Sequence, residues 1–309
     1  MMKKYYLLVA CVTIFLSAQA QLTESNYRIY SVKQAKEVTL NDIADEMQNH
    51  DVLFFGEEHN DSVTHFLQST MFELLYAKYG NQLALSMEMF DRDVQGVMDE
   101  YLQGLIREKN FIKDARAWNN YRDYKPMVEL AKEKKLKVIC ANAPSRYTNL
   151  AGRKGQQALL EISKTSKKFI APLPYDTASG GYYDKLMALT QHAPPPANDT
   201  LKMKMPVMAM GQFSLIAAQS LWDATMAYSI AQFIKSNKGK KVMQVNGRFH
   251  SDEGFAVVTQ LKKYSSKTKT LIISTASEES FPDINWDEYK NLGDYIIITD
   301  PAVPRTYKD

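Results

Sequence analysis

Apolar positions in this chain gather into short unbroken runs, and between the runs they recur at helical spacing. Val52-Leu53-Phe54-Phe55, Leu83 to Met89, Lys137 to Ala141, Lys241 to Val245, Thr270 to Ser274 and Tyr295 to Thr299 read as buried strands. Tyr27 to Val32 reads as a short opening strand. Helical periodicity occupies Leu40 to Met47 behind an N-cap at Thr39, and Pro126 to Lys134 with proline in its first turn. It returns from about Gln212 to Ser236 and from about Asp252 to Tyr264. A further helix starts from a cap at Asp61 or Ser62 and runs to about Tyr79, with Phe66, Met71, Leu74 and Leu75 on its apolar face. Strands separated by helices predict an α/β fold, a mainly parallel sheet with helices on both faces.

The alternation lapses between Asn142 and Pro206. Pro172-Leu173-Pro174, Ser179-Gly180-Gly181 and Pro194 to Pro196 interrupt it, with helical stretches near Gly155 to Lys164 and Tyr182 to Thr190. A smaller helical insertion is expected there, at about 145–205, within one domain spanning 21–309. Residues 1–20 read as a signal peptide. Lys3 and Lys4 precede an apolar stretch from Tyr5 to Leu16, and Ala18-Gln19-Ala20 is a cleavage site. The sequence around Cys11 is a rival lipobox, disfavoured because apolar residues continue through Val12 to Leu16. The expected location is the periplasm or cell envelope.

Cleavage would leave Cys140 as the only cysteine, so the core must hold without a disulfide. The formal charge of +3 falls to +1 without Lys3 and Lys4, which gives no electrostatic case for nucleic acid. Walker loop, nucleophile elbow, Cys/His zinc cluster and Cys-x-x-Cys-His haem attachment are all missing from the sequence.

Two motifs of one shape follow predicted strands: Gly56-Glu57-Glu58-His59 and Gly247-Arg248-Phe249-His250. Each delivers an imidazole to the carboxyl edge of the sheet, where ligands bind in open α/β folds. Glu88 ends an otherwise apolar strand, where an acid must be paired, hydrogen-bonded or protonated. It is expected near His59, as an acid–imidazole pair or as two metal ligands. Glu57, His59, Glu88 and His250 are therefore the candidate divalent-metal ligands. His65 and Gln68 share a helix face beside His59, and that helix N-terminus favours an anionic ligand. Glu58, Asn60 and Asp61 read as capping and solvent residues, and Arg92 is suited to a carboxylate. Gln219, Trp222 and Asp223 lie on or near one face of the long helix.

The insertion carries Tyr147, Tyr175, Tyr182, Tyr183 and His192. Tyrosine ligates haem iron in some proteins, although tyrosines also simply cover such interfaces. Met203, Met205, Met208 and Met210 suit Cu(I) but suit irregular packing better, and Cys140 reads as inert packing.

Together these residues resemble a known family. Gly56-Glu57-x-His59 with His65 and Gln68, Met87-Glu88-Met89-Phe90, Asn142-Ala143-Pro144, Gln219-x-x-x-Asp223-x-x-Met226-Ala227 and Gly247-x-x-His250 are similar to the ChaN family of haem-binding uptake proteins. That family sits in the wider Tiki and erythromycin-esterase superfamily. The resemblance implies an exported haem binder of bacterial iron uptake, working as a homodimer and alongside an outer-membrane or haem-transport partner. Tyr182 or Tyr183 would bind iron, and a histidine or arginine, His192 or Arg92, would hold the propionates. The superfamily also implies an alternative, a metal-dependent protease or esterase built on His59, Glu88 and His250.

Overall fold

The computed structural model describes residues 22–191 and 207–307. The expected signal peptide, Cys11, His192, Met203, Met205 and the proline triplet lie outside the described residues. The chain opens with β1 (Tyr27–Ser31), β2 (Lys36–Glu37) and α1 (Leu40–Glu46). Thr39 caps α1, accepting from the Asp42 N–H at 3.3 Å while the Asp42 carboxylate accepts from the Thr39 N–H at 2.8 Å.

β3 (Val52–Glu57), α2 (Ser62–Tyr79) and β4 (Leu83–Asp91) follow. Then come α3 (Gln95–Leu102), α4 (Glu108–Asp114), α5 (Tyr121–Glu133) and β5 (Lys137–Asn142). The insertion contributes α6 (Ser145–Lys154) and α7 (Gly180–Gln191), with two 3-10 turns between them. Helix α8 (Val207–Ser236), β6 (Lys241–Gly247), α9 (Ala256–Tyr264), β7 (Thr270–Ser277) and β8 (Tyr295–Thr299) complete the order.

The strands form one sheet in the order β2-β1-β8-β7-β3-β6-β4-β5. All pairings are parallel except those of β1, which runs antiparallel to both β8 and β2. The pleat sorts side chains to two helical layers. Leu53, Phe55, Leu85, Met87, Met243 and Val245 meet Val63, Leu67 and Met71 of α2 and Met127 and Val128 of α5. Val52, Phe54, Val242 and Ile139 meet Met226, Ala227 and Ile230 of α8 and Val257, Val258 and Leu261 of α9. Burial on both faces is why these strands read as continuous apolar runs. Tyr147 and Tyr175 are core residues of the insertion, packed with Leu159, Ile170, Leu221 and Ala224.

Three expectations need correction. Phe66 is 41% exposed, and the buried face of α2 instead includes His65 and Gln68. Those two polar residues spend their hydrogen bonds on the site below, which offsets the cost of burying them. Pro126 lies inside α5 rather than at its start, because the helix begins at Tyr121. The helix expected from Asp252 is split: a 3-10 turn at Asp252–Gly254 precedes α9, with Glu253 and Ala256 at positive φ (62° and 47°).

Candidate functional site

β3 and β6 are neighbours in register, Gly56 opposite Asn246 and Glu57 opposite Gly247. The two Gly-x-x-His motifs therefore leave the sheet side by side. β4 lies on the far side of β6, and its last partner there is Met87 opposite Val245. Glu88 stands one residue beyond that pairing, where the register of β4 with β5 also shifts. The sequence placed Glu88 near His59, but a whole strand separates β4 from β3.

Glycine closes the gap. A Cβ on Gly247 would lie 2.9 Å from His59 Nε2 and 3.7 Å from Glu88 Oε2, so only a bare backbone lets the two approach across the end of β6. Gly56 plays the converse part: its Cβ would lie 2.8 Å from the Cα of Arg248. Each motif's glycine makes room for the other motif.

Glu57 anchors the first half of the site. Its buried carboxylate accepts from the Tyr124 hydroxyl at 2.6 Å, from Gln68 Nε2 at 2.5 Å and from His59 Nδ1 at 2.7 Å. With Nδ1 so engaged, His59 Nε2 is left as the imidazole's working atom. The His59 ring is 37% exposed and meets Trp118 edge-on, with 5.1 Å between centroids. Its carbonyl accepts from His65 Nε2 at 3.0 Å and from Asn120 Nδ2 at 3.2 Å. Burial works against the His59 cation, but the Glu57 hydrogen bond and the charges of Glu88 and Glu57 outweigh it and raise its pKa.

The second half is a buried chain of contacts. Glu88 Oε2 accepts from the Gly247 N–H at 2.7 Å, and Glu88 Oε1 lies 3.4 Å from His250 Nε2. His250 Nδ1 pairs with Asp223 Oδ1 at 2.6 Å, and the Tyr182 hydroxyl donates to Asp223 Oδ2 at 2.7 Å. Burial opposes the charge of Glu88, yet His250, His59 and the Gly247 N–H draw its pKa down to about 2. His250 is likewise disfavoured by burial, but Glu88 and Asp223 lift it well above the ordinary imidazole value. Asp223 is pushed up, because burial outweighs its two partners.

Of the residues singled out from sequence, His59, Glu57, Glu88, His250, His65, Gln68, Asp223 and Tyr182 converge here. Gln219 lies one turn before Asp223 on α8, and its Oε1 has no hydrogen-bond partner among the described residues. Arg92 is elsewhere, its guanidinium donating to Ser229 Oγ at 2.7 Å, Gln232 Oε1 at 2.9 Å and the Lys168 carbonyl at 3.3 Å. Those bonds take three of its five N–H groups. Tyr182 is buried and committed to Asp223, with its phenol pushed up by burial and by that carboxylate. Tyr183 is 39% exposed on the same helix.

The four side chains expected as a metal set come together without forming one. Glu57 is turned toward Tyr124, Gln68 and His59 Nδ1, and both His250 nitrogens face carboxylates. Among the described residues no group of three or more His, Cys, Asp or Glu is arranged to hold a metal ion. Sequence reading missed Tyr124, Trp118 and Asn120. Tyr121, Tyr124, Met127 and Val128 recur at helical spacing, and that signal was available.

Fold and site define an α/β protein whose polar centre is built from paired Gly-x-x-His turns on adjacent strands and a glutamate beyond them. The chain belongs to the family described as haem-binding uptake, Tiki superfamily, ChaN, which matches residues 43–261. The fold is similar to that of ChaN of Campylobacter jejuni, a structure described by its cofacial haem binding. The TM-score is 0.67 at 16% identity, over 89% of this chain and 98% of that one. An erythromycin esterase, EreC, in its open conformation aligns with TM-score 0.48 and 9% identity over 90% of this chain and 99% of that one. A protein of Bacillus cereus aligns with 0.47 and 10% over 88% and 94%. No curated protein matches the sequence.

Proposed function

We propose that this chain is an exported haem-binding protein serving iron uptake. The observation that carries the reading, beside family membership, is the contrast between adjacent tyrosines on α7. Tyr182 is spent on Asp223, whereas the exposed Tyr183 phenol has no hydrogen-bond partner among the described residues. Other candidate donors are less free, and His59, whose Nε2 is open, is held through Nδ1 by Glu57. Cys140 is buried, and His65 and His250 use both ring nitrogens. The donor set thus fits haem, with Tyr183 as the iron ligand. Bound haem would supply the iron that is carried; the protein's part is to bind and orient it. Among the described residues no helix is long and apolar enough to cross a membrane.

Titrating the purified protein with haemin is expected to give a Soret band that Tyr183→Phe shifts and weakens and Tyr182→Phe leaves in position. Binding no better than to an unrelated protein of like charge would end this reading.

A second reading is favoured by one observation: His59 and His250 each present Nδ1 to a buried carboxylate, with Glu88 near both. A carboxylate-oriented imidazole with an accessible Nε2 is the arrangement of a general base. His59 would then activate water for ester or peptide hydrolysis. Activity on a panel of such substrates, lost in His59→Ala, would favour this reading over the first.

A further inference from the structure

The segment after β8 turns back over the loop that carries His59, and it lies beyond the part of the chain matched by the family. Ser62 Oγ donates to the Pro304 carbonyl at 2.8 Å, and the Thr306 N–H donates to the Asn60 carbonyl at 2.9 Å. Arg305 pairs with Glu58 at 3.2 Å and with Asp61 at 3.4 Å. On the other side, Arg122 of α5 donates to the Thr306 carbonyl at 2.7 Å. Between this strap and the start of α5 lies a cavity of about 480 Å³ lined by Asn119, Asn120, Arg122, Thr306 and Tyr307.

Among the described residues its lining has one cation and no acid. Arg305 is engaged by two carboxylates, whereas the Arg122 side chain is 73% exposed and, among the described residues, makes one hydrogen bond, to the Thr306 carbonyl, and one ion pair, through Nε. Asp123 Oδ1 lies 3.5 Å from Arg122 Nε, and that carboxylate is turned inward and is not part of the lining. The terminal nitrogens are the face left for a ligand. Asn119 is exposed and adds a carboxamide donor, and Tyr307 supplies an aromatic wall. A planar guanidinium with amide donors beside it matches a carboxylate in two parallel hydrogen bonds. Asn120 ties the cavity to the site, because its Nδ2 donates to the His59 carbonyl.

We propose that this cavity is a carboxylate-binding subsite, with Arg122 as its anchor, that holds an acidic arm of the ligand beside His59. Identifying that arm with a haem propionate rests on the haem reading, whereas the subsite itself does not.

The test compares haemin with iron protoporphyrin IX dimethyl ester, which lacks free carboxylates, on the full chain and on Arg122→Gln. Far-UV circular dichroism and the unfolding midpoint check the fold of the variant. The wild type is expected to bind haemin about tenfold more tightly than the ester, the worth of one charged hydrogen-bonded pair. Arg122→Gln is expected to bind the two alike, and Asn119→Ala to show a smaller loss of preference. An unchanged preference in Arg122→Gln overturns the proposal while leaving haem binding intact. If the wild type binds neither porphyrin, the haem reading fails and succinate becomes the probe. Saturable shifts of the Asn119 and Asn120 side-chain amide resonances, lost in Arg122→Gln, would then support the subsite. No saturable shift, or equal shifts with inorganic phosphate that persist in the variant, would overturn it.

Discussion

At the scale of single residues, the site depends on one missing side chain and one buried hydroxyl. Gly247→Ala would place a methyl 2.9 Å from His59 Nε2, with Glu88 close behind, so the imidazole must move. A loss of about 1–3 kcal/mol by denaturant unfolding is expected, together with displaced His59 ring resonances. Tyr124→Phe removes one of three donors from buried Glu57 and should cost about 2 kcal/mol by the same measurement.

The titrating residues give pH dependence a definite sign. His250 is held well above the ordinary imidazole value, so its contribution is complete at acid pH and is lost as pH rises through the elevated value. Glu88 is drawn down to about 2, so its contribution is complete above the ordinary carboxylate value and is lost progressively as pH falls from there through about 2. Asp223 is pushed up, so its contribution is present at acid pH and declines as pH rises through its elevated value. Both residues, His250 and Asp223, predict a decline in the unfolding midpoint as pH rises, Asp223 from the ordinary carboxylate value upward and His250 from the ordinary imidazole value upward. His250→Gln should flatten that decline, and an unchanged slope would place the titration elsewhere.

At the scale of elements, α7 is joined to α8, to the second motif and to the turn after it by three separate kinds of contact. Tyr182 reaches Asp223, Lys185 pairs with Glu253 at 2.9 Å and Asp252 at 3.4 Å, and the Tyr182 ring packs on Phe249 and Phe255. Tyr182→Phe leaves an oxygen of buried Asp223 unpaired, a cost of about 1–3 kcal/mol. Hydrogen exchange should become faster along α7 first, while α2 and α5 keep their protection. Strands and long helices were legible in the sequence because burial on one or two faces imposes a period. The split before α9 was not, because it turns on the positive φ of Glu253 and Ala256, residues with no special propensity for it. Phe66 misled for a related reason: hydrophobic periodicity cannot foresee that His65 and Gln68 are drawn inside by Glu57, far enough away in sequence to leave no local trace.

At the scale of the molecule, the doubled Gly-x-x-His and the strand-end Glu88 were readable as one site, since parallel strands bring their carboxyl ends to one edge. Strand order was not readable, and with it went the fact that β6 separates β3 from β4. The strap from Asp300 to Tyr307 was also invisible, because its contacts are made by backbone carbonyls and by ion pairs to residues some 240 positions earlier. Ending the chain after Thr299 should raise exchange rates at 57–61 and leave the interior of the sheet protected, as followed by amide exchange.

The facing glycines have a consequence for how such a site can change. Gly56 is cleared for Arg248 and Gly247 for His59, so neither turn has a shape of its own that could be transplanted. A chimera that imports one turn from a relative inherits a socket cut for a plug it does not carry. Exchange of the two turns together should restore what either exchange alone loses.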